Sequence, residues 1–139
     1  MPKRAVIDSG PLVALFDKDD QYHTRAVQFI REFQGQLHTT VAVLTEVTHL
    51  LDFSVQAQLD FLDWVIAGAV EVEDLDKASL RSIYALVEKY SDLPADFADA
   101  SLVTIAEKLE IPYIVSIDSD FQVYRTQSGD YLKNLMAAR

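Results

Sequence analysis

The sequence contains no cysteine, which excludes disulfide-stabilised folds, zinc sites built on thiolates and a cysteine nucleophile. Only four glycines are present, and none lies in a GxGxxG or GxxxxGK[ST] pattern, so neither a dinucleotide site nor a P-loop is indicated. No GxSxG motif points to a serine hydrolase. No stretch approaches the roughly 18 apolar residues of a membrane span, and the first residues lack the apolar segment of a signal peptide. We therefore expect a cytoplasmic protein without a membrane segment.

Basic residues are scarce as well, with twelve Lys and Arg against 22 Asp and Glu and a formal net charge of −10. An acidic surface repels phosphate at long range, so non-specific binding of nucleic acid is not expected. A nucleic-acid substrate would have to be attracted by bound cations or by a local basic patch. The 139 residues, half of them hydrophobic, have the size and composition of one domain with a substantial core, covering residues 1–139.

Short apolar runs alternate with stretches of helical spacing along the chain, without a linker or an internal repeat. Strands are predicted at residues 4–7, 37–40, 69–72, 113–117 and 131–135. Strands separated by helices predict an α/β domain with a mainly parallel sheet and right-handed crossovers. Functional sites of such sheets form beyond the carboxyl ends of the strands.

Several acidic residues stand where the pattern predicts that edge or the core. Asp8 and Asp118 each follow a predicted buried strand directly. Glu46 and Asp99 each share the apolar face of a predicted helix, at spacings of three and four residues from hydrophobic positions. Asp96 precedes Asp99 by one turn. The pattern predicts that these carboxylates converge in one cleft.

Each acid also has a purely structural interpretation, which the residues leave open. Asp8 and Asp118 are suited to Asx-turns or helix caps, Asp96 to an N-cap, and Glu46 to a salt bridge with a basic residue. Taken together, however, two carboxylates about 5 Å apart repel by roughly 3 kcal/mol at an effective dielectric of 20. Four of them would need protons or cations among them. Oxygen ligands without cysteine favour Mg²⁺ or Mn²⁺ over zinc. The histidines show no metal-ligand spacing and are expected to be surface or packing residues: His23, His38 and His49.

Four segments resemble, in order, the signature blocks of PIN domains, closest to the VapC-like toxin ribonucleases: VIDSGPLVALFD, TTVAVLTEVTHLL, DLPADFADASLVTIAEKL and YIVSIDSDF. The resemblance runs from residue 5 to about residue 121. It implies a three-layer α/β/α sandwich around a mainly parallel sheet of four or five strands in the order 3-2-1-4-5. It also implies Mg²⁺- or Mn²⁺-dependent cleavage of single-stranded RNA by a toxin that a small antitoxin holds inactive, often as a homodimer.

The resemblance assigns the catalytic, metal-binding acids to Asp8, Glu46, Asp99 and Asp118, and auxiliary roles to Ser9, Ser116 and Asp96. One or two divalent ions suit the chemistry, because such ions activate a water and stabilise charge on phosphorus and on the leaving oxygen. We therefore expect a metal-dependent endoribonuclease, the toxin of a type II VapBC-like pair. A basic antitoxin suits the acidic chain, and four aromatic residues are candidates for its groove, with core packing as the alternative: Phe16, Tyr22, Phe29 and Phe33.

Two other functions stay open at this point. The first is a catalytically silent PIN-fold module that binds RNA or protein. The second is a phosphoryl-transfer domain of the receiver or haloacid-dehalogenase type. A phosphatase of the latter type needs a DxD motif after the first strand, whereas the sequence there is Asp8-Ser9-Gly10.

Overall fold

The computed structural model describes residues 2–92, 96–117 and 124–136 of the chain. Five strands form one parallel sheet: β1 Arg4–Ile7, β2 Gln36–Thr40, β3 Val70–Glu73, β4 Tyr113–Val115 and β5 Lys133–Asn134. Six helices accompany them: α1 Ser9–Phe16, α2 His23–Glu32, α3 Val41–Leu50, α4 Val55–Ile66, α5 Lys77–Lys89 and α6 Phe97–Lys108. The strand order is β3-β2-β1-β4-β5, which confirms the predicted fold class.

The central strand is β1, which pairs with β2 on one side and β4 on the other. The chain builds outward from β1 to β3, and α5 and α6 then return it across the sheet to β4. Because right-handed crossovers in opposite directions cover opposite faces, β1 is enclosed on both. Ala5, Val6 and Ile7 are accordingly buried. The strand order reverses between β1 and β4, so a crevice forms beyond their carboxyl ends, where α/β proteins place their ligands.

Side-chain caps fix where four of the helices begin, and the cap of α4 is Ser54, whose hydroxyl accepts a hydrogen bond from the backbone N–H of Ala57. The hydroxyl of Thr40 caps α3, and the Asp96 carboxylate caps α6 by accepting a hydrogen bond from the backbone N–H of Asp99 at 2.8 Å. Asp76 caps α5, where the backbone N–H and the hydroxyl of Ser79 both donate to its carboxylate. These bonds stabilise the ionised form and lower the pKa of Asp76.

Helix α6 is the most enclosed helix. Nine consecutive residues, from Ala98 to Ala106, are buried. A helix that is buried all round belongs to the interior of a fold rather than to its surface. The hydroxyls of Thr40 and Ser101 share a hydrogen bond of 2.7 Å, which ties the start of α3 to α6. The two helix N-termini therefore lie side by side at the carboxyl edge of the sheet.

Some boundaries differ from those that the sequence predicts. Helix α1 begins at Ser9 and holds Pro11 in its first turn, where the N–H groups need no intrahelical partner and proline is tolerated. Strand β3 lies one residue later than predicted, and β4 and β5 are shorter than predicted. On α3 the buried positions include Val43 and Val47, whereas Leu50 is exposed. Within the described residues, no helix is long and apolar enough to cross a membrane.

His38 is a packing residue inside the sheet. It is buried on β2, and its Nδ1 lies 2.8 Å from a carboxylate oxygen of Glu73 on β3. Arg4 donates from its Nε to the His38 Nε2 at 3.2 Å. This cluster ties the first three strands together by side chains as well as by backbone.

Candidate active site

Asp8 lies at the reversal point of the strand order. Its backbone N–H donates to the carbonyl of Val115 on β4 at 3.0 Å, and its side chain is 4% exposed. The buried hydroxyl of Ser116 donates to its Oδ2 at 3.1 Å. Asp8 is also the N-cap residue of α1, but its carboxylate does not cap that helix. The position of the Asp8 carboxylate is therefore set by the pairing of β1 with β4 and by Ser116, and not by capping of α1.

Glu46 is joined to Asp8 through Ser9. Glu46 lies in the second turn of α3, is half-buried, and its Oε1 accepts a hydrogen bond from the hydroxyl of Ser9. Among the residues that the structure describes, no lysine or arginine forms a salt bridge with Glu46. Four of the residues predicted from the sequence thus form one cluster, which we call the β1–β4 cluster: Asp8, Ser9, Glu46 and Ser116.

A second acidic pair stands at the start of α6. Asp99 lies in the first turn of α6. It is buried, with 7% exposure, although it carries a carboxylate. Asp96 is the N-cap of α6, which is the structural role that the sequence left open for it. One carboxylate oxygen of Asp96 accepts a hydrogen bond from the backbone N–H of Asp99. The cap therefore also fixes the position of the Asp99 backbone, from which its side chain extends.

Tyr124 is a residue of this site that the sequence reasoning missed. Its hydroxyl donates to Asp99 Oδ2 at 3.4 Å, and its ring packs edge-on against Tyr90 at 5.3 Å between centroids. Tyr90 in turn accepts a hydrogen bond from the backbone of Arg125 at 2.9 Å. Tyr124 lies beyond the segment of resemblance, and no periodic pattern marks it. The one available signal was an aromatic residue shortly after the fourth motif.

An open groove of about 620 Å³ joins the two groups of acids, because both Glu46 and Asp96 line it. Its other lining residues come mainly from the first turns of α3 and α6: Val41, Ala42, Thr45, His49, Leu75, Phe97 and Ala98. The structure thus brings the β1–β4 cluster and the α6 pair to one edge of the sheet. Asp118, the remaining predicted acid, lies outside the described residues.

The donor chemistry of this edge suits a hard divalent cation. Asp8, Glu46 and Asp99 offer carboxylate oxygens, and oxygen ligands are those that Mg²⁺ and Mn²⁺ prefer. Over residues 2–92, 96–117 and 124–136, however, no group of three or more His, Asp or Glu residues is close enough to hold a metal by itself.

Comparison with known proteins agrees with this architecture. A family model of the PIN domain matches residues 5–126. Ribonuclease VapC26 of Mycobacterium tuberculosis (strain ATCC 25618 / H37Rv) is 27% identical over 115 residues, which are 81% of this chain and 85% of that protein.

Two solved structures share the fold. The crystal structure of Mycobacterium tuberculosis VapC20, described as a sarcin-ricin loop cleaving toxin, superimposes with a TM-score of 0.79 at 20% identity, covering 86% of this chain and 93% of that one. A chain of VapBC2 from Rickettsia felis, crystallised with a DNA fragment from its promoter, superimposes with a TM-score of 0.64 at 14% identity, covering 94% and 98%. Because the family model spans most of the sequence, the chain belongs to the PIN domain family.

Proposed function

We propose that this chain is a metal-dependent endoribonuclease that hydrolyses phosphodiester bonds of RNA. The observation that carries the proposal is the β1–β4 cluster, a buried carboxylate at the reversal point of the sheet with a second carboxylate hydrogen-bonded to its neighbour. A buried charge is costly unless it is compensated, and acids in such places are characteristic of functional sites. A relative named as a ribonuclease and a structural neighbour described as a sarcin-ricin loop cleaving toxin support the same reaction.

Asp8, Glu46, Asp99 and Asp118 are the residues that would hold one or two Mg²⁺ or Mn²⁺ ions. Such an ion lowers the pKa of a bound water and stabilises negative charge on the phosphate. Ser116 and Ser9 orient the carboxylates of Asp8 and Glu46 by donating hydrogen bonds to them.

Glu46 is suited to a second role. It is more exposed than the buried Asp8, and Ser9 uses only one of its oxygens. Within the described part of the chain no hydrogen bond engages its other oxygen, which can accept the proton of the attacking water, as a general base does. Divalent ions would also offset the repulsion between the protein and its substrate. A chain of net charge −10 otherwise repels an RNA backbone.

The test is cleavage of RNA by protein that has been stripped of metal with EDTA. We expect no cleavage until Mg²⁺ or Mn²⁺ is added in excess, and cleavage within the RNA rather than from its ends. Gel analysis of RNAs labelled at either end distinguishes these products. RNA binding that survives EDTA, without turnover under any metal condition, would instead identify a silent binding module.

We further propose that the chain is the toxin of a cytoplasmic VapBC-like pair and binds a small basic antitoxin. The candidate groove residues Phe16, Tyr22, Phe29 and Phe33 are half-buried, and the three phenylalanines pack against the core. A better surface is the outer face of α4, where four apolar side chains are exposed along one stripe: Val55, Leu59, Leu62 and Ile66. We call these four residues the α4 stripe.

Charge identifies the partner that suits the α4 stripe. Exposed acids flank it at Asp60 and Asp63, and no lysine or arginine occurs between Arg31 and Lys77. A second copy of the chain packed isologously on this face would bring these acids together. An amphipathic helix with lysine or arginine beside its apolar face matches both the stripe and its charge. A homodimer, if it forms, would therefore use another surface.

Co-expression with the gene that adjoins its own should make the chain copurify with a small basic protein. Ile66→Asp should weaken this complex by at least about tenfold, because it replaces the most exposed apolar side chain of the α4 stripe with a charge. Tyr84→Asp, at an exposed position of α5, is the matched control. Light scattering on the eluted complex gives its stoichiometry and tests the homodimer. Equal binding by both variants would place the partner elsewhere.

A further inference from the structure

The groove beside the acids has an apolar wall that folding does not explain. Val41 and Phe97 are the first residues of α3 and α6, and their side chains are 59% and 48% exposed. The helices are already fixed by the caps at Thr40 and Asp96, so these positions need no apolar side chain. A single exposed hydrophobic residue means little, but here two of them face one groove whose wall includes Glu46 and Asp96.

We propose that this groove is a base-binding subsite, in which an unpaired nucleobase next to the scissile phosphate stacks on Phe97 and contacts Val41. The inference rests on the proposed ribonuclease function and adds a residue that binds substrate. Proteins that recognise single-stranded RNA stack splayed bases on aromatic side chains. A volume of about 620 Å³ lies within the usual range for small-ligand sites. It accommodates a base together with its sugar.

The position of the groove determines which nucleotide of the substrate, relative to the cleaved phosphate, would place its base there. Asp96 lines the groove and caps the helix that carries Asp99, while Glu46 lines it and is hydrogen-bonded to Ser9 of the β1–β4 cluster. A phosphate that divalent cations would hold at these acids would therefore have its attached nucleotide directly beside the groove. The rim also carries exposed polar groups at Thr45 and His49 that can bond the edge of a base.

A protein partner suits the groove less well than a base. Only two of the lining residues, Val41 and Phe97, are large, exposed and apolar, which gives a short contact, whereas the α4 stripe offers four such residues in a row. The acids of the groove belong to the site at which phosphodiester cleavage is proposed, so substrate must reach them. The groove is thus continuous with the path of the RNA.

The experiment measures steady-state cleavage of a short single-stranded RNA whose cut site has been mapped with the wild type. We expect Phe97→Ala to raise KM roughly tenfold with little change in kcat, because loss of one stacked base costs on the order of 1–3 kcal/mol in binding. Phe97→Trp should restore the wild-type KM. Phe53→Ala is the matched control, since Phe53 is also exposed but does not line the groove.

An abasic nucleotide placed beside the cut identifies the base. In the wild type it should raise KM by about the same factor, and Phe97→Ala should then add nothing further. A readout without turnover is the fluorescence of 2-aminopurine at that position, titrated with protein carrying Asp8→Asn. We expect quenching that Phe97→Ala abolishes.

The outcomes separate this subsite from the proposed function. Wild-type cleavage with an unchanged KM in Phe97→Ala overturns the subsite and leaves the ribonuclease intact. Quenching of 2-aminopurine at any position of an RNA that the wild type does not cleave, if Phe97→Ala abolishes it, overturns the ribonuclease and supports the groove as a base-binding site. Loss of the copurifying protein in Phe97→Ala, with RNA binding unaltered, assigns the groove to a protein contact and also overturns the subsite.

Discussion

Replacing Asp8 with asparagine should lower kcat for RNA cleavage by a factor on the order of 10²–10³ or more, as is typical when one preorganised electrostatic group is removed from an active site. The change keeps the shape of the side chain and still lets Ser116 donate to the remaining carbonyl oxygen. It removes the negative charge that would bind a divalent ion at the reversal point of the sheet. Single-turnover cleavage at saturating Mg²⁺ measures the loss directly.

Stability distinguishes a catalytic role for Asp8 from a structural one. Asp8 makes no helix-capping bond, and an amide is less costly to bury than a carboxylate. The midpoint of thermal unfolding should therefore stay level or rise. Asp60→Asn, an exposed acid on α4, controls for the change in net charge and should cleave as the wild type does. Full activity in Asp8→Asn would remove Asp8 from the mechanism.

The architecture could be predicted from the sequence because it depends on pattern. Alternation of apolar runs with helical spacing predicts a parallel α/β sheet, and the resemblance to PIN domains supplies the strand order. Boundaries were less certain, since the ends of elements depend on caps and tertiary contacts. Leu50 illustrates the limit: its spacing from Val43 and Val47 allows the core face, but the adjacent Leu51 occupies that face in the fold.

The candidate site was only partly predictable. The spacing of Asp8 after a strand and of Glu46 on α3 is visible in the sequence, and the resemblance singles out Ser9 and Ser116. Their hydrogen bonds are not visible there, since they join residues 37 and 108 positions apart. Tyr124 was missed because it and Asp99 are distant in the sequence, and only the fold brings them into contact.

The groove could not be predicted at all. Phe97 lies within one of the four motifs and is the first residue of its helix. From the sequence, an apolar residue at that position is expected to pack into the core. Only the fold reveals that the first turns of α3 and α6 lie side by side, joined by the Thr40–Ser101 hydrogen bond. Exposure of a side chain is a property of its neighbours, and those neighbours come from distant parts of the chain.

Phe61→Ala is expected to have the largest effect on stability. Phe61 is fully buried on α4 and packs edge-on against Phe16 of α1, with ring centroids 5.6 Å apart. Phe16 makes the same kind of contact with Trp64. Removing a buried phenylalanine costs about 3–5 kcal/mol in the free energy of unfolding, because the apolar surface is lost and a cavity remains. For a chain of this size the thermal midpoint should fall by roughly 10–20 °C.

The opposite face of the same helix provides the control. Leu59→Ala changes an exposed residue of the α4 stripe and should cost less than about 0.5 kcal/mol, as measured by urea denaturation. Cleavage per folded molecule should be unaltered in both variants at a temperature where each is folded, because α4 contributes none of the acids of the site. An equal loss of stability in the two variants would show that α4 is anchored by both faces. The α4 stripe would then no longer be a free surface for a partner, and the basis for placing the antitoxin there would be gone.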